Sequence, residues 1–181
     1  MKIIIFAVLL VSVLFFISNY NSLTVKKSRV GNAWAQLDVQ LKKRFDLIPK
    51  LLETVKGHAE HEESTRDAVV KARNQYISAG APEEMMRANI EMTEALSRLF
   101  PLAESYPGLK TDTDFMELKK ELTQVEEGIA YARQFYNDTV MIFNNAIQLF
   151  PSNIIAALLG FKEGPYFKAD ETEMQNVKVE F

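Results

Sequence analysis

The stretch GHAEHEES, residues 57–64, holds both histidines of the 181-residue chain and three glutamates. His58 and His61 are three residues apart, so on one helix both imidazoles can approach a single ion, and Glu62 can add a carboxylate oxygen. The zincin signature H-E-x-x-H is incomplete, because Thr65 occupies the position of its second histidine. Di-iron bundles need paired Glu-x-x-His units, which the sequence does not contain. We therefore expect histidines at a helix–helix turn, with a metal-binding protein or metal-dependent enzyme as the alternative.

Other residue patterns that carry catalysis or bind cofactors are absent from the sequence. The chain has no cysteine, which excludes a disulfide framework, a thiolate zinc site and a cysteine nucleophile. It has no P-loop, dinucleotide fingerprint or G-x-S-x-G elbow. The segment from Asp112 opens like a calcium loop, but Met116 and Glu117 occupy the positions of an oxygen ligand and the turn glycine. We predict no cofactor and no enzymatic activity.

Composition narrows the class of partner. A hydrophobic fraction of 48% is enough for the core of one ordinary domain. The net charge of -3 lacks the basic excess that is typical of proteins that bind polyphosphate chains. We therefore expect no nucleic-acid partner.

The amino-terminal segment is strongly apolar. From Ile3 to Ile17 only Ser12 is polar, and such a run is close to the length of a membrane-spanning helix. A cleaved signal peptide would be followed by a small-x-small site, which the following residues FFISNYNS do not contain. We predict an uncleaved signal anchor over residues 1–20, with residues 3–17 in the lipid bilayer.

Basic residues on both sides of this anchor predict its orientation. Lys2 precedes the apolar run, whereas Lys26, Lys27 and Arg29 follow it. By the positive-inside rule, the amino terminus lies outside and the rest of the chain in the cytoplasm. The same three residues are candidates for an interaction surface that contacts anionic lipid, or they form a solvated helix face.

Apolar residues recur at spacings of three and four from Val30 to Val55, which predicts a helical seam. Arg44 occupies a seam position that should be apolar. We expect Phe45 to turn inward in its place while the aliphatic stem of the arginine lies along the stripe. The basic group from Lys42 to Arg44 is then expected to be solvated.

Further helices follow along the chain. One continues to about Ser78, and another starts near Pro82 and ends before YPGLKTDTD, which reads as a loop. The clearest periodicity runs from Phe115 to Phe150, with Asp114 and Glu117 as an expected capping box. At a rise of 1.5 Å per residue this helix is roughly 53 Å long. Such a length predicts a bundle, because only other long helices can cover its apolar stripe.

The carboxyl-terminal part is expected to contain a short helix and a tail. Residues SNIIAALLG predict a helix that is capped by Gly160, and NVKVEF alternates like a terminal strand or an extended tail. We divide the chain into an anchor (residues 1–20), a helical domain (21–160) and a tail (161–181). Asn137 and Asn144, seven residues apart on the longest helix, form interior hydrogen bonds or an interaction surface.

Four sequence blocks identify a family when they are taken together. They are YNSL, VGNAWAQLDVQLKKRFDLIPKLLETVKGHAEHE, YPGLKTDTDFMELKKEL and YNDTVMIFNNAIQLFPSNIIAALLGFKEGPYF. In this order they resemble the bacterial LemA family over nearly the whole chain from Tyr20, with DLIPKL and FPSNIIA as the most distinctive parts.

The resemblance implies an all-α, single-pass protein of the bacterial cell (inner) membrane, with one amino-terminal membrane helix and a long antiparallel four-helix bundle. It implies no known reaction. We therefore expect a scaffold or interaction protein, whose partner is an unidentified membrane or cytoplasmic protein or a second copy of the chain.

Overall fold

The computed structural model describes residues 1–56 and 63–167. Within these two ranges the regular secondary structure is helical and contains no strand, which confirms the all-α prediction for this part of the chain. The helices are α1 (Lys2–Lys56), α2 (Glu63–Ser78), α3 (Pro82–Glu104), α4 (Pro107–Lys110), α5 (Thr113–Gln148) and α6 (Ser152–Leu158). The expected extended segment NVKVEF lies outside the described residues.

Helix α1 begins with the apolar run found in the sequence. Every side chain from Ile3 to Ile17 is exposed, and no described part of the chain covers this stretch. With this stretch near its amino terminus, α1 is long and apolar enough to cross a membrane, as an anchor requires. The helix then continues without interruption to Lys56, so the apolar segment and the following seam belong to one helix.

The chain divides into two compact units, each containing part of α1 and part of α5. Unit 1 comprises Met1–Leu37 and Ala132–Tyr166, and unit 2 comprises Asp38–Tyr131 and the chain from Phe167. In unit 1 the Trp34 ring meets the Tyr136 ring edge-on, with centroids 5.6 Å apart. Leu23 shares a hydrophobic cluster with Phe143 and Ile147. Leu23 precedes Trp34 on α1, whereas its partners Phe143 and Ile147 follow Tyr136 on α5. The two helices are therefore antiparallel in this unit.

Helix α6 follows α5 after a sharp corner. The two helix axes differ by 91°, and the Phe150–Pro151 peptide bond at the corner is cis. Gly160 has a φ of 70°, and the Phe161 N–H donates to the Ala156 carbonyl over 3.0 Å. This left-handed residue and the backward hydrogen bond end the helix in the manner of a Schellman motif, which confirms the predicted glycine cap.

In unit 2 helices α2 and α3 pack against each other. The Phe45 ring of α1 stacks on the Tyr76 ring of α2, with centroids 4.0 Å apart and planes 9° from parallel. The apolar stripes expected from sequence spacing supply fully or almost fully buried side chains from α1 and α5: Leu41, Ile48, Leu51, Phe115, Leu118 and Ile129. Helix α3 adds Met92 and Leu99, which are also fully buried.

Two local predictions were wrong. Helix α5 begins at Thr113, and the Asp112 carboxylate accepts a 2.8 Å hydrogen bond from the Phe115 N–H. The cap is therefore Asp112, and the expected capping box of Asp114 is two residues too late. The predicted loop also contains the helical turn α4, where Pro107 fixes the first φ angle and Leu109 is fully buried.

Candidate functional site

The histidine cluster lies outside the described residues. His58, His61 and Glu62 fall in the 57–62 gap, so the structure does not test them as metal ligands. Within residues 1–56 and 63–167, no group of three or more His, Cys, Asp or Glu side chains could hold a metal ion. A metal site at His58 and His61 remains a sequence-based prediction.

The basic residues after the anchor lie on the surface of unit 1. The Lys26 ammonium donates to the Ser22 hydroxyl over 2.6 Å, and the Lys27 ammonium lies 5.7 Å from the centre of the Phe161 ring. Arg29 is exposed. Among the described residues no carboxylate forms an ion pair with any of the three. Their charges are therefore left for solvent or for a partner of opposite charge.

Lys26 and Arg29 also line a groove of about 410 Å³ between α1 and α5. Its other lining residues are Asn32, Gln36, Phe135, Thr139 and Ile142. Phe135 and Ile142 are exposed apolar side chains. The groove combines positive charge, amides and apolar surface, which is a combination that holds amphipathic acidic groups by contact and charge.

The two asparagines of α5 have different surroundings. Asn144 is 3% exposed, and its amide exchanges two hydrogen bonds with the Gly164 backbone, donating over 3.0 Å and accepting over 2.8 Å. The Tyr136 hydroxyl donates to the Pro165 carbonyl, and the Gln148 amide donates to Glu163. These side chains hold the segment 163–165 along α5. Asn137 is half-buried and also has an interaction partner.

Arg44 is the clearest correction to the sequence analysis. Its side chain is 3% exposed, and Phe45 beside it is buried as well, so the arginine enters the interior of unit 2 instead of lying along the stripe. Lys42 and Lys43 are exposed, as expected for that basic group. The interior position is stable because partners for the guanidinium come from two other helices.

Those partners form a network across α1, α3 and α5. The Arg44 Nη1 atom donates to Asn89 Oδ1 over 2.8 Å and to the Thr93 hydroxyl over 3.0 Å. Its Nη2 atom lies 3.1 Å from a carboxylate oxygen of Glu126. The Thr93 hydroxyl in turn donates to the Asn89 carbonyl. Arg44 Nε is buried and has no hydrogen-bond partner among the described residues.

In unit 2, burial shifts the pKa values of two side chains, Arg44 and Tyr76. Burial lowers the pKa of the Arg44 guanidinium, and the nearby Glu126 carboxylate opposes that shift. Burial also raises the pKa of the Tyr76 phenol, whose hydroxyl donates over 2.9 Å to Asp38. Each group therefore has a carboxylate partner within unit 2, Asp38 for Tyr76 and Glu126 for Arg44.

Sequence reasoning missed Asn89, Thr93 and Glu126 as partners of Arg44. The position of Arg44 in the seam was a usable signal, because a buried guanidinium needs hydrogen-bond acceptors from neighbouring elements. Asn89 and Thr93 are four residues apart on α3, so they share one helix face. The pairing could not be predicted, because these residues are far from Arg44 in the sequence.

The comparisons with known proteins agree with the four sequence blocks. A family model described as the LemA family matches residues 33–181, which is most of the chain. Protein LemA of Metamycoplasma hominis is 23% identical over 180 residues, covering 96% of this chain and 81% of that protein.

Relatives with a different name are also similar. Magnetosome protein MamQ 2 of Paramagnetospirillum magneticum is 23% identical over 175 residues, covering 82% of this chain and 64% of its own length. Magnetosome protein MamQ of Magnetospirillum gryphiswaldense is 24% identical over 178 residues, with coverages of 84% and 63%. The chain thus spans less than two thirds of either MamQ protein. On the family match over residues 33–181, the chain belongs to the LemA family.

Proposed function

We propose that this protein is a single-pass, membrane-anchored scaffold or interaction protein of the bacterial cell membrane. The observation that carries the proposal is the apolar stretch from Ile3 to Ile17, in which every side chain is exposed and which continues as one helix into the packed part of the chain. An uncovered stretch of this length is unfavourable in water and favourable in a bilayer. The anchor thereby holds the helical domain at the membrane surface.

We infer that residues 21–160 form a four-helix bundle built from the second half of α1 with α2, α3 and α5. Three observations support it: the packing of α2 on α3, the Phe45–Tyr76 ring stack between α1 and α2, and the Arg44 network between α1, α3 and α5. A bundle of this kind offers long outer faces on which partner proteins can bind.

We infer a binding role for this chain. The groove beside Lys26 and Arg29 provides positive charge and apolar contact for a partner. Neither the family description nor the names of the relatives state a reaction. We assign no magnetosome role to this chain, because it matches less than two thirds of each MamQ protein.

Membrane fractionation tests the anchor. The full chain should stay in the membrane pellet after washing with high salt and with alkaline carbonate, and detergent should release it. The double variant Leu9→Asp, Val13→Asp places two charges within the span, and the carbonate wash should release it. Full release of the unmodified chain by carbonate would contradict a transmembrane anchor. If the chain stays in the membrane, cross-linking in intact membranes followed by detergent extraction can identify the partner protein.

Metal analysis of the purified full chain tests the alternative function. We expect no stoichiometric metal, because the H-E-x-x-H pattern is incomplete. Bound metal that is lost in the double variant His58→Ala, His61→Ala would contradict a purely scaffolding role. A matched variant, Glu53→Ala, removes a nearby exposed carboxylate on α1 and controls for adventitious binding at the surface.

A further inference from the structure

The corner between α5 and α6 exposes a group of large apolar side chains. Leu149, Phe150, Ile154 and Leu158 are 63%, 79%, 53% and 72% exposed, and Leu159 is exposed as well. We call these five residues the apolar corner. No charged side chain occurs anywhere from Thr139 to Phe161. A surface with so many adjacent apolar side chains and no charge indicates a contact site rather than a solvated corner.

The other side of α6 packs on the part of α1 that follows the anchor. Ile155 and Ala156 share a buried cluster with Leu23, and the Tyr20 ring meets the Phe161 ring at 6.4 Å. Leu23 comes three residues after Tyr20, where the predicted anchor ends, so along the helix it lies only about 5 Å beyond that end. The headgroup region of a bilayer is about 5–8 Å thick on each side. Helix α6 therefore lies at the level of the membrane interface.

The direction of α6 also suits an interfacial helix. Helix α5 is antiparallel to α1 in unit 1, so its carboxyl end points towards the membrane when α1 crosses it. The 91° corner then places α6 across that direction, roughly in the membrane plane. Seven residues rise only about 10 Å, so α6 cannot itself cross a hydrocarbon layer of about 30 Å.

We propose that the apolar corner inserts into the interface of the membrane leaflet on the carboxyl side of the anchor, as a second and shallow attachment. The proposal rests on the membrane anchor of the proposed function. Basic residues about 5–9 Å beyond Leu23 along α1 add attraction to anionic headgroups. Lys26, Lys27 and Arg29 have no carboxylate partner among the described residues, and Lys162 follows Phe161 directly. Two attachments would hold unit 1 in one orientation against the bilayer.

The absence of cysteine from the chain allows a direct depth measurement. The full chain is reconstituted in vesicles of phosphatidylethanolamine and phosphatidylglycerol, with an environment-sensitive fluorophore on Leu158→Cys. Two matched positions are labelled in parallel: Leu10→Cys within the anchor, and Phe135→Cys. Phe135 is an exposed apolar residue of α5, about 20 Å before the end of that helix. Quenching is measured with nitroxide-bearing lipids and with aqueous iodide.

We expect the Leu158 probe to shift its emission to shorter wavelength and to be quenched by nitroxides near the headgroups. The Leu10 probe should respond to deep nitroxides, and the Phe135 probe to iodide alone. Quenching of the Leu158 probe by iodide alone would overturn the proposal. Protection of that probe from both quenchers would overturn it too, because protein, such as a second copy of the chain, would then cover the corner.

The Leu10 probe distinguishes a failure of the interfacial corner from a failure of the membrane anchor. If it responds to lipid nitroxides while the Leu158 probe does not, the anchor stands and the interfacial corner is refuted. If the Leu10 probe responds to iodide alone, the anchor itself is refuted. A second variant uses a probe on Leu149→Cys with and without Ile154→Asp, a substitution at an exposed position that leaves the core unchanged. Loss of lipid quenching with Ile154→Asp, but not with Ile154→Leu, is expected.

Discussion

Arg44 is buried in the apolar seam of α1, where its charge is stabilised by acceptors on α3 and α5. Removing an acceptor lowers the free energy of unfolding by more than one hydrogen bond contributes, because the guanidinium stays buried with one partner fewer. We expect Asn89→Ala to lower the free energy of unfolding by about 2–4 kcal/mol. Arg44→Met should cost about 1–3 kcal/mol, because Asn89 then loses its donor.

The combination of the two substitutions tests whether they act through one contact. The double variant Arg44→Met, Asn89→Ala should cost less than the sum of the single variants, because neither side chain is then left buried without its partner. Denaturant unfolding followed by far-UV circular dichroism measures all four proteins. Additive costs would show that the Arg44–Asn89 hydrogen bond contributes nothing of its own. Thr123→Ala, at an exposed position of α5, is a control that should be nearly neutral.

Asn144 forms the hydrogen bonds that hold Gly164 on α5. Asn144→Ala removes a donor and an acceptor from partly buried backbone groups, so we expect a loss of about 1–3 kcal/mol. The neighbouring Asn145 is exposed, and Asn145→Ala should change stability by less than about 0.5 kcal/mol. Limited proteolysis gives a second readout, since the segment 161–167 should be cut sooner in Asn144→Ala only. Equal effects of the two variants would contradict the pairing.

Tyr76 should make stability depend on pH in the alkaline range. Burial and the hydrogen bond to Asp38 raise the pKa of its phenol in the folded protein. The neutral form is favoured by folding, so this stabilisation is complete below the unfolded pKa of about 10 and is lost as the pH rises above it. The difference in free energy of unfolding between the unmodified chain and Tyr76→Phe should therefore shrink as the pH rises from about 9 to about 11, a range centred on the unfolded pKa. A constant difference would contradict the shift.

Helix α5 depends on its buried stripe, and two of its residues allow a matched test. Ile129 is 2% exposed and Tyr131, two residues later, is 76% exposed. Ile129→Asp places an unpaired carboxylate in the interior and should cost on the order of 3–5 kcal/mol. Tyr131→Asp should cost less than about 1 kcal/mol. Thermal and denaturant unfolding of both variants measures this; equal stabilities would mean that the stripe does not face the core.

The helices show which features the sequence could predict. The carboxyl end of α2, the start of α3 and the glycine cap of α6 follow from local signals, because a proline at the first turn or a glycine at positive φ acts on its own neighbours. The Arg44 network could not be found in this way, since Asn89 is 45 residues away. The same holds for the apolar corner. Its composition is visible in the sequence, but the 91° bend that aligns it with the bilayer is not.

At the scale of the whole molecule, orientation decides which compartment the helical domain meets. Lys26, Lys27 and Arg29 follow the anchor while Lys2 precedes it, so the positive-inside rule favours a cytoplasmic domain. The interfacial corner is compatible with either orientation, because it concerns only the leaflet on the carboxyl side of the anchor. The basic residues therefore carry the topology prediction alone, and a labelling experiment can test it independently of depth.

Thr111→Cys supplies a single thiol at an exposed position between α4 and α5. In intact cells, or in spheroplasts where an outer membrane is present, a membrane-impermeant maleimide should leave this thiol unlabelled until the cells are lysed. A thiol at Met1→Cys, introduced with an added start residue, should show the opposite pattern because it lies on the other side of the anchor. Labelling of Thr111→Cys before lysis would reverse the topology. The partner proteins would then have to be sought on the outer face of the membrane.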